Sequence, residues 1–353
     1  MADDTRSVHT LGIDLSDRKF DYCLLSPAGK VVDRGQHPLT TSGLEEVVDR
    51  EPTKIVLEVG THSPWVSRFC ESYGHETLVA NSRQLPFIYK SLNKNDSNDA
   101  EKLARVGRFD PKLLYPIRHR GAPAQADLAQ IRSRCELVSV RTGLINHVRG
   151  SVKSFGQRLR VCSATSFHKV ALEHIPEALV PALKPVCEVI TKLTAQIKAL
   201  DRAIAEQCEV NYPETKSLRQ VAGVGQLTAL AFVLVLEDHR RFKKSRDVGP
   251  FLGLTPKQDD SGETRKQLRI TKAGDKLLRR LLVGCAHYVL GPLAPECDLQ
   301  RWGHELMKRG GPSAKKRAVV AVARRLAVLL HNLWKTSEVY DPFRQSRPAE
   351  RVA

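Results

Sequence analysis

"GIDLSDRKFDYCLL", residues 12 to 25, decides the fold. Its first residues close the run "HTLGIDL" (9–15), rich in β-formers and therefore read as a strand. The remainder opens "FDYCLLSPAGKVVDRGQHPL" (20–39), a hairpin expected to turn at "PAG". Working outward, "TSGLEEVVDR" (41–50) carries an N-cap signal followed by a short helix. "KIVLEV" (54–59) is a compact apolar strand, "SPWVSRFCESYG" (63–74) a helix ending at Gly74, and "ETLVA" (76–80) another strand. This order predicts an α/β domain over residues 8–115, a mixed sheet with helices packed against it.

The 353 residues allow two or three domains. Lys and Arg number 56 against 39 Asp and Glu, a formal charge of +17. Such an excess implies an anionic partner, with nucleic acid first and a membrane surface second. The opening "MADDTRSVHTLGIDL" is acidic and lacks the apolar core of a signal peptide. No apolar run approaches the roughly 20 residues that span a bilayer, so no membrane segment is expected. The eight cysteines form no Cys-x-x-Cys pair. They read as reduced thiols of a cytosolic protein, neither a zinc site nor a disulfide frame.

Beyond residue 120 the texture changes. Leu128, Ile131, Cys135, Val138, Thr142, Ile145, Val148 and Val152 follow 3-and-4 spacing. Val186, Ile190, Leu193, Ile197, Leu200 and Ile204 repeat it. Two long helices over 120–210 therefore read as a coiled-coil arm, folded on itself or paired with a second subunit. A third, mostly helical region spans 214–340 and ends in "AKKRAVVAVARRLAVLLHNLWK" (314–335). That last helix reads first as a core helix with a solvated basic face, and second as a DNA contact.

Asp14 interrupts one apolar strand and Glu58 ends another. Ionised groups are costly to bury without a partner or a metal, so two central strands each carrying a carboxylate suggest a cation site. In "LNKNDSNDAEKLARVGRF" (92–109), Asp96 and Asp99 lie three apart where a polar loop enters a helix. Both can serve as caps favoured by the helix dipole. Both can equally add ligands to Asp14 and Glu58, because divalent-metal phosphoryl chemistry needs several oxygens from separate elements. Lys94 and Lys102 would pair with the carboxylates in the first case and face phosphates in the second.

"QVAGVGQLTALAFV" (220–233) sets Gly223 and Gly225 between two helical segments, a helix-hairpin-helix pattern. The glycines allow close approach of a phosphate, or simply a turn with positive φ. Downstream, Lys257, Arg265, Lys266, Arg269, Lys272, Lys276, Arg279 and Arg280 crowd a surface suited to phosphates. Ser261–Gly262 stands among them in a polar turn.

Together "GIDLSDRKFDYCLL", "VLEVGTHSPWV" and "NKNDSNDAEKLAR" resemble the N-terminal domain of the DEDD recombinases of bacterial insertion sequences, insertion-sequence family 110. "LRQVAGVGQLTALAFV" with "FLGLTPKQDDSGETRKQLRITKAGDKLLRRLLV" resembles their C-terminal transposase domain, and the likeness covers most of residues 8–335. The resemblance implies an RNase H-like, Holliday-junction-resolvase-like first domain, with Mg²⁺ ligands at Asp14, Glu58, Asp96 and Asp99. It implies a serine nucleophile at Ser261, a homo-oligomer (dimer or tetramer), and a noncoding bridge RNA that pairs with donor and target DNA. A bacterial, nucleoid-associated cytoplasmic protein follows. Where family members often carry another serine before this Ser-Gly pair, Asp259 and Asp260 stand here.

The function so implied is Mg²⁺-dependent strand cleavage and exchange through a serine–DNA link. No Walker-type Gly-x-x-x-x-Gly-Lys is present to couple it to ATP. Two alternatives stay open: a metal-dependent junction endonuclease using water, and a non-catalytic nucleic-acid-binding protein.

Overall fold

The computed structural model describes residues 8–81, 96–261 and 264–346, without the side chains of 96–97 and 259–267. Lys94 and Gly262 fall outside it. The chain divides into two compact units, Met1–Arg120 and Gly121–Ala353.

The first unit holds β1 (Thr10–Leu15), β2 (Lys19–Leu25), β3 (Val31–Pro38), α1 (Thr41–Val48), β4 (Lys54–Glu58), α2 (Ser63–Ser72), β5 (Glu76–Ala80) and α3 (Asp96–Phe109). The strands form one mixed sheet in the order β3-β2-β1-β4-β5. β2 runs antiparallel to β1 and β3, whereas β4 is parallel to β1 and β5. The hairpin turns at the expected "PAG", where Gly29 takes φ 81°. Thr40 caps α1 by accepting the Gly43 N–H at 3.1 Å.

Side chains alternate across a strand, so each face has its own core. On one face Leu11, Ile13, Ile55 and Leu57 pack with Leu44, Val47 and Val48 of α1 and with Val66 and Cys70 of α2. On the other, Val56 and Ala80 pack with Leu103 of α3 and with Leu114. Cys23 and Leu25 meet Ala100 and Ala104 on that same face. The sequence predicts helices packed against a mixed sheet, and the structure covers both of its faces with them.

In the second unit, α4 (Ala122–Ser154), α5 (Phe167–His174) and α6 (Val180–Val210) are followed by α7 (Thr215–Leu218), α8 (Gln226–Leu236) and α9 (Val248–Phe251). The hairpin β6 (Pro256–Ser261) and β7 (Thr264–Ile270) precedes α10 (Lys276–Val289), α11 (Asp298–Lys308) and α12 (Ala314–Thr336). The two long helices pair with each other in antiparallel fashion: Arg134 bonds Asp201 at 2.8 Å and Arg141 bonds Thr194 at 3.3 Å. Their seam differs in part from the expected one. Leu183, Cys187, Ile190, Thr194, Ile197, Ile204 and Cys208 are buried on α6, whereas Val186, Leu193 and Leu200 are half-buried beside it.

Residues 120–210 do not stand apart from the C-terminal helices. Leu128, Ile131, Ile204 and Cys208 share one apolar core with α8, α10 and α12. Ile145, Val148 and Val152 meet Phe167 and Ala171 of α5 in a separate cluster. α8 is buried all round from Thr228 to Leu236, which explains its lack of a polar face. α12 turns Val319, Val322 and Leu326 inward and exposes Lys315, Lys316 and Arg324. Among the described residues, no helix is long and apolar enough to cross a membrane.

Candidate active site

β1 and β4 are hydrogen-bonded in parallel with Ile13 opposite Leu57. Asp14 and Glu58 each come one residue later, so they sit at the same level at the C-terminal ends of neighbouring strands. Both are half-buried. By strand alternation, Asp14 shares the face of Gly12, and Glu58 that of Val56. This is the face that α3 covers.

The direction of α3 follows from its contacts. Near its C-terminus, Arg108 Nε donates to the Pro27 carbonyl at 3.1 Å, just beyond the end of β2 that pairs with the start of β1. Ala100 and Ala104 lie against Gly12 in mid-strand. α3 thus runs antiparallel to β1, with its first turn toward the strand ends that bear Asp14 and Glu58. Asp96 begins this turn, and its side chain lies outside the described residues. Asp99 is 5% exposed, and Lys102 Nζ donates to its Oδ1 at 2.7 Å. Among the described side chains, no group of three His, Cys, Asp or Glu is close enough to hold a metal ion. The donor set itself, all carboxylates, suits a hard divalent cation such as Mg²⁺.

Sequence reasoning passed over a polar cluster just after Glu58. Ser63, fully buried at the start of α2, has its Oγ 2.8 Å from His119 Nε2. Burial, and then the Arg68 and Arg120 charges, push the His119 imidazole below its ordinary pKa. The available signal was the run "GTHS" between a strand and a helix. Its partner lies 56 residues away, so no local pattern announces it.

In the second unit, Gly223 takes φ 87° and a Cβ there would lie 2.6 Å from the Tyr288 ring. Gly225 has φ −87° and nothing within 4 Å of a Cβ. Both line an open cleft of about 640 Å³ together with Arg219, Arg280 and Tyr288. Lys257, Arg269 and Lys272 are exposed. Arg279 differs from the expected phosphate-facing residue, because its Nη1 donates to the Leu252 and Ala273 carbonyls at 2.9 and 2.6 Å. Ser261 ends β6 opposite Thr264, and the register sets Asp260 against Arg265 and Asp259 against Lys266. The side chains of Ser261, Arg265 and Lys266 lie outside the described residues.

Two family models match this chain. One, described as a transposase of the DEDD IS110 type, covers residues 11–156, and the other, "Transposase IS116/IS110/IS902 family", covers 215–296. The "Putative transposase y4pF/y4sB" of Sinorhizobium fredii (strain NBRC 101917 / NGR234) is 30% identical over 82% of this chain and 74% of its own. The chain belongs to the IS110 family of insertion-sequence transposases. The transposase for insertion sequence element IS1111A of Coxiella burnetii is 28% identical over 95% of this chain and 92% of its own. The pilin gene-inverting protein of Moraxella lacunata is 22% identical over 94% and 97%. Membership makes this IS110-family chain a DNA recombinase or transposase, and therefore an enzyme with DNA as substrate. The first match contains Asp14, Glu58, Asp96 and Asp99, and the second contains Gly223, Gly225 and Ser261.

Proposed function

We propose that the chain recombines DNA by Mg²⁺-dependent strand cleavage and exchange, using an RNase H-like first unit and Ser261 as nucleophile. One observation carries the reading: Asp14 and Glu58 end adjacent parallel strands on the face over which α3 brings its first turn. The strand order β3-β2-β1-β4-β5, antiparallel only at the β1–β2 and β2–β3 pairs, supports the RNase H-like assignment. Asp14, Glu58, Asp96 and Asp99 would hold the ion, with Asp99 exchanging its Lys102 partner. Bound there, Mg²⁺ supplies Lewis-acid polarisation of the scissile phosphate.

The serine step balances without an energy cofactor. Ser261 Oγ bonds to phosphorus and loses its proton to solvent. The P–O bond of the strand breaks, and the departing oxygen takes up a proton as a hydroxyl. Attack by the hydroxyl of the exchanged strand reverses the step and frees the serine. The cross-strand positions of Lys266 and Arg265 opposite Asp259 and Asp260 support this role, since cations there offset the carboxylates flanking the nucleophile.

Gly223, Gly225, Lys257, Arg265, Lys266, Arg269 and Lys272 would meet phosphates of donor DNA, target DNA or a noncoding bridge RNA. Arg279 would support the surface from beneath. The +17 charge favours such partners. A dimer or tetramer would let Ser261 of one subunit serve the carboxylates of another. Acting on chromosomal DNA implies a nucleoid-associated, cytoplasmic protein.

Asp14→Ala and Ser261→Ala should each abolish strand cleavage, with a wild-type covalent protein–DNA species resolved on denaturing gels. If Ser261→Ala still yields DNA-linked protein, the nucleophile is elsewhere. Cleavage with no covalent species would instead mark a water-using junction endonuclease. The Lys102–Asp99 ion pair favours a second reading, in which the carboxylates are structural and the DNA chemistry does not use Mg²⁺. That reading predicts DNA binding and cleavage indifferent to Mg²⁺. RNA co-purifying with the full chain, once sequenced, tests the guide.

A further inference from the structure

We propose that His119 is a positioning residue for Glu58, acting through Ser63 and the turn at Gly60. The proposal rests on the reading of Glu58 as a metal ligand. Glu58 is the last residue of β4, and the chain leaves the sheet just after Val59, whose N–H donates to the Ala80 carbonyl at 2.9 Å. From there the backbone turns at Gly60 into α2. Where a carboxylate ends a strand, its direction is set by how the following backbone is held.

Ser63 holds that backbone. Its Oγ accepts the Gly60 N–H at 2.9 Å and donates to the Gly60 carbonyl at 2.9 Å. A hydroxyl has one proton and two lone pairs. With the proton given to Gly60 and one lone pair taken by its N–H, the remaining lone pair faces His119 Nε2 at 2.8 Å. In this arrangement His119 donates from Nε2, as the Nε2–H form of the ring does. Its own backbone is tied down on both sides. The Ile117 N–H donates to the Val79 carbonyl at 2.9 Å, and Arg68 Nη1 donates to the Arg120 carbonyl at 3.2 Å.

The chain of contacts thus runs from the last residues of the first unit, through one imidazole and one buried hydroxyl, to both polar groups of the turn two residues past Glu58. His119 would touch neither metal nor DNA. It fixes the ligand by filling the hydrogen-bonding capacity of the serine that fixes the turn. Outer partners of this kind commonly change metal affinity by about 10- to 100-fold when removed.

The test uses the full chain, with Mn²⁺ binding measured by calorimetry and thermal melting recorded without metal. Glu58→Gln should weaken or abolish Mn²⁺ binding. His119→Ala and Ser63→Ala should weaken it about tenfold. His119→Gln, whose amide N–H can replace Nε2–H, should restore most of the loss. Amide exchange over residues 58–64 should quicken in His119→Ala and return toward wild type in His119→Gln. If His119→Ala does not fold, Ser63→Ala carries the same expectation. Wild-type Mn²⁺ affinity in His119→Ala or Ser63→Ala, beside a weakened Glu58→Gln, overturns the role of His119 alone. His119→Gln no better than His119→Ala at equal melting temperature overturns it too. Unchanged binding in Glu58→Gln removes the ligand assignment, and this proposal with it.

Discussion

The backbone of α3 rests directly on Gly12: a Cβ there would lie 2.0 Å from the Ala100 carbonyl oxygen. The Ala104 amide nitrogen would be 2.7 Å away, and both obstacles are backbone rather than flexible side chain. Gly12→Ala should push α3 off the sheet and destabilise the chain by about 3 kcal/mol, the upper range for overpacking. If Asp99 is a ligand, strand cleavage should fall with it, because Asp99 rides on α3. Urea unfolding gives the stability change, and an unaltered midpoint would contradict the close approach.

Asp99 and Lys102 offer a sharper discrimination. Asp99 is nearly buried and its cation sits at 2.7 Å. Lys102→Met should destabilise the metal-free chain by roughly 1–3 kcal/mol, because it leaves a carboxylate without its charge partner. If Asp99 is a ligand, Mg²⁺ supplies the missing cation, and the variant should gain more in melting temperature from Mg²⁺ than wild type does. Equal gains, measured in Mg²⁺ against EDTA, would leave Asp99 a salt-bridge residue.

Gly223 and Gly225 should part company. Gly223→Ala forces a Cβ at φ 87° against Tyr288, at a cost of about 1–2 kcal/mol for the backbone alone. Gly225→Ala enters open space at φ −87°, and stability should stay within about 0.5 kcal/mol. If the cleft receives a phosphate, Gly225→Ala should nonetheless weaken DNA or RNA binding at fixed salt. Wild-type affinity in this folded variant would exclude the cleft.

His331 should make stability depend on pH. It is fully buried on α12, with Nε2 2.9 Å from the His239 carbonyl and Nδ1 2.9 Å from Ser245 Oγ. A carbonyl only accepts, so Nε2 carries the proton and Nδ1 accepts from the serine. Burial pushes its pKa down, with His239 and Lys335 adding to the effect against the opposing His239 carbonyl. The native state thus binds this proton less readily than the unfolded chain. Its contribution is full above about pH 6.5 and is lost as pH falls from there toward the native pKa. His119 and His168 are shifted in the same direction. Urea midpoints should drop between about pH 7 and 5, and His331→Gln should flatten that slope. An equal slope in the variant would remove His331 from the account.

Much of the architecture was legible because it repeats locally. β-former content marked β1, an apolar run marked β4 and Gly29 marked the hairpin turn, whereas the cap of α1 is Thr40, one residue before the stretch that carried the N-cap signal. The arm shows where such reading stops. Ile190, Ile197 and Ile204 belong to two overlapping 3-and-4 patterns, and the packing against α4 and α5 selected the one containing Cys187 and Thr194. Arg279 was counted with the phosphate-facing cations on composition, yet two carbonyls brought close by the turns at Leu252 and Ala273 claim it. In the carboxylate region, strand ends were readable and a pairing of Lys102 with the carboxylates was one of two open readings, but the Ser63–His119 bond was not legible.

By itself the sequence determined the kinds of elements, their order, the basic surface and the family, because periodicity, charge and motif order are properties of neighbouring residues along the chain. Tertiary structure alone decided that Asp14 and Glu58 end level on adjacent strands, that α3 points its first turn toward them, and that an imidazole 56 residues away braces Ser63. Those relationships depend on strand register and on which helix face is buried. Both are set by the packing of distant segments, and a shift of one residue would reverse which side chains meet.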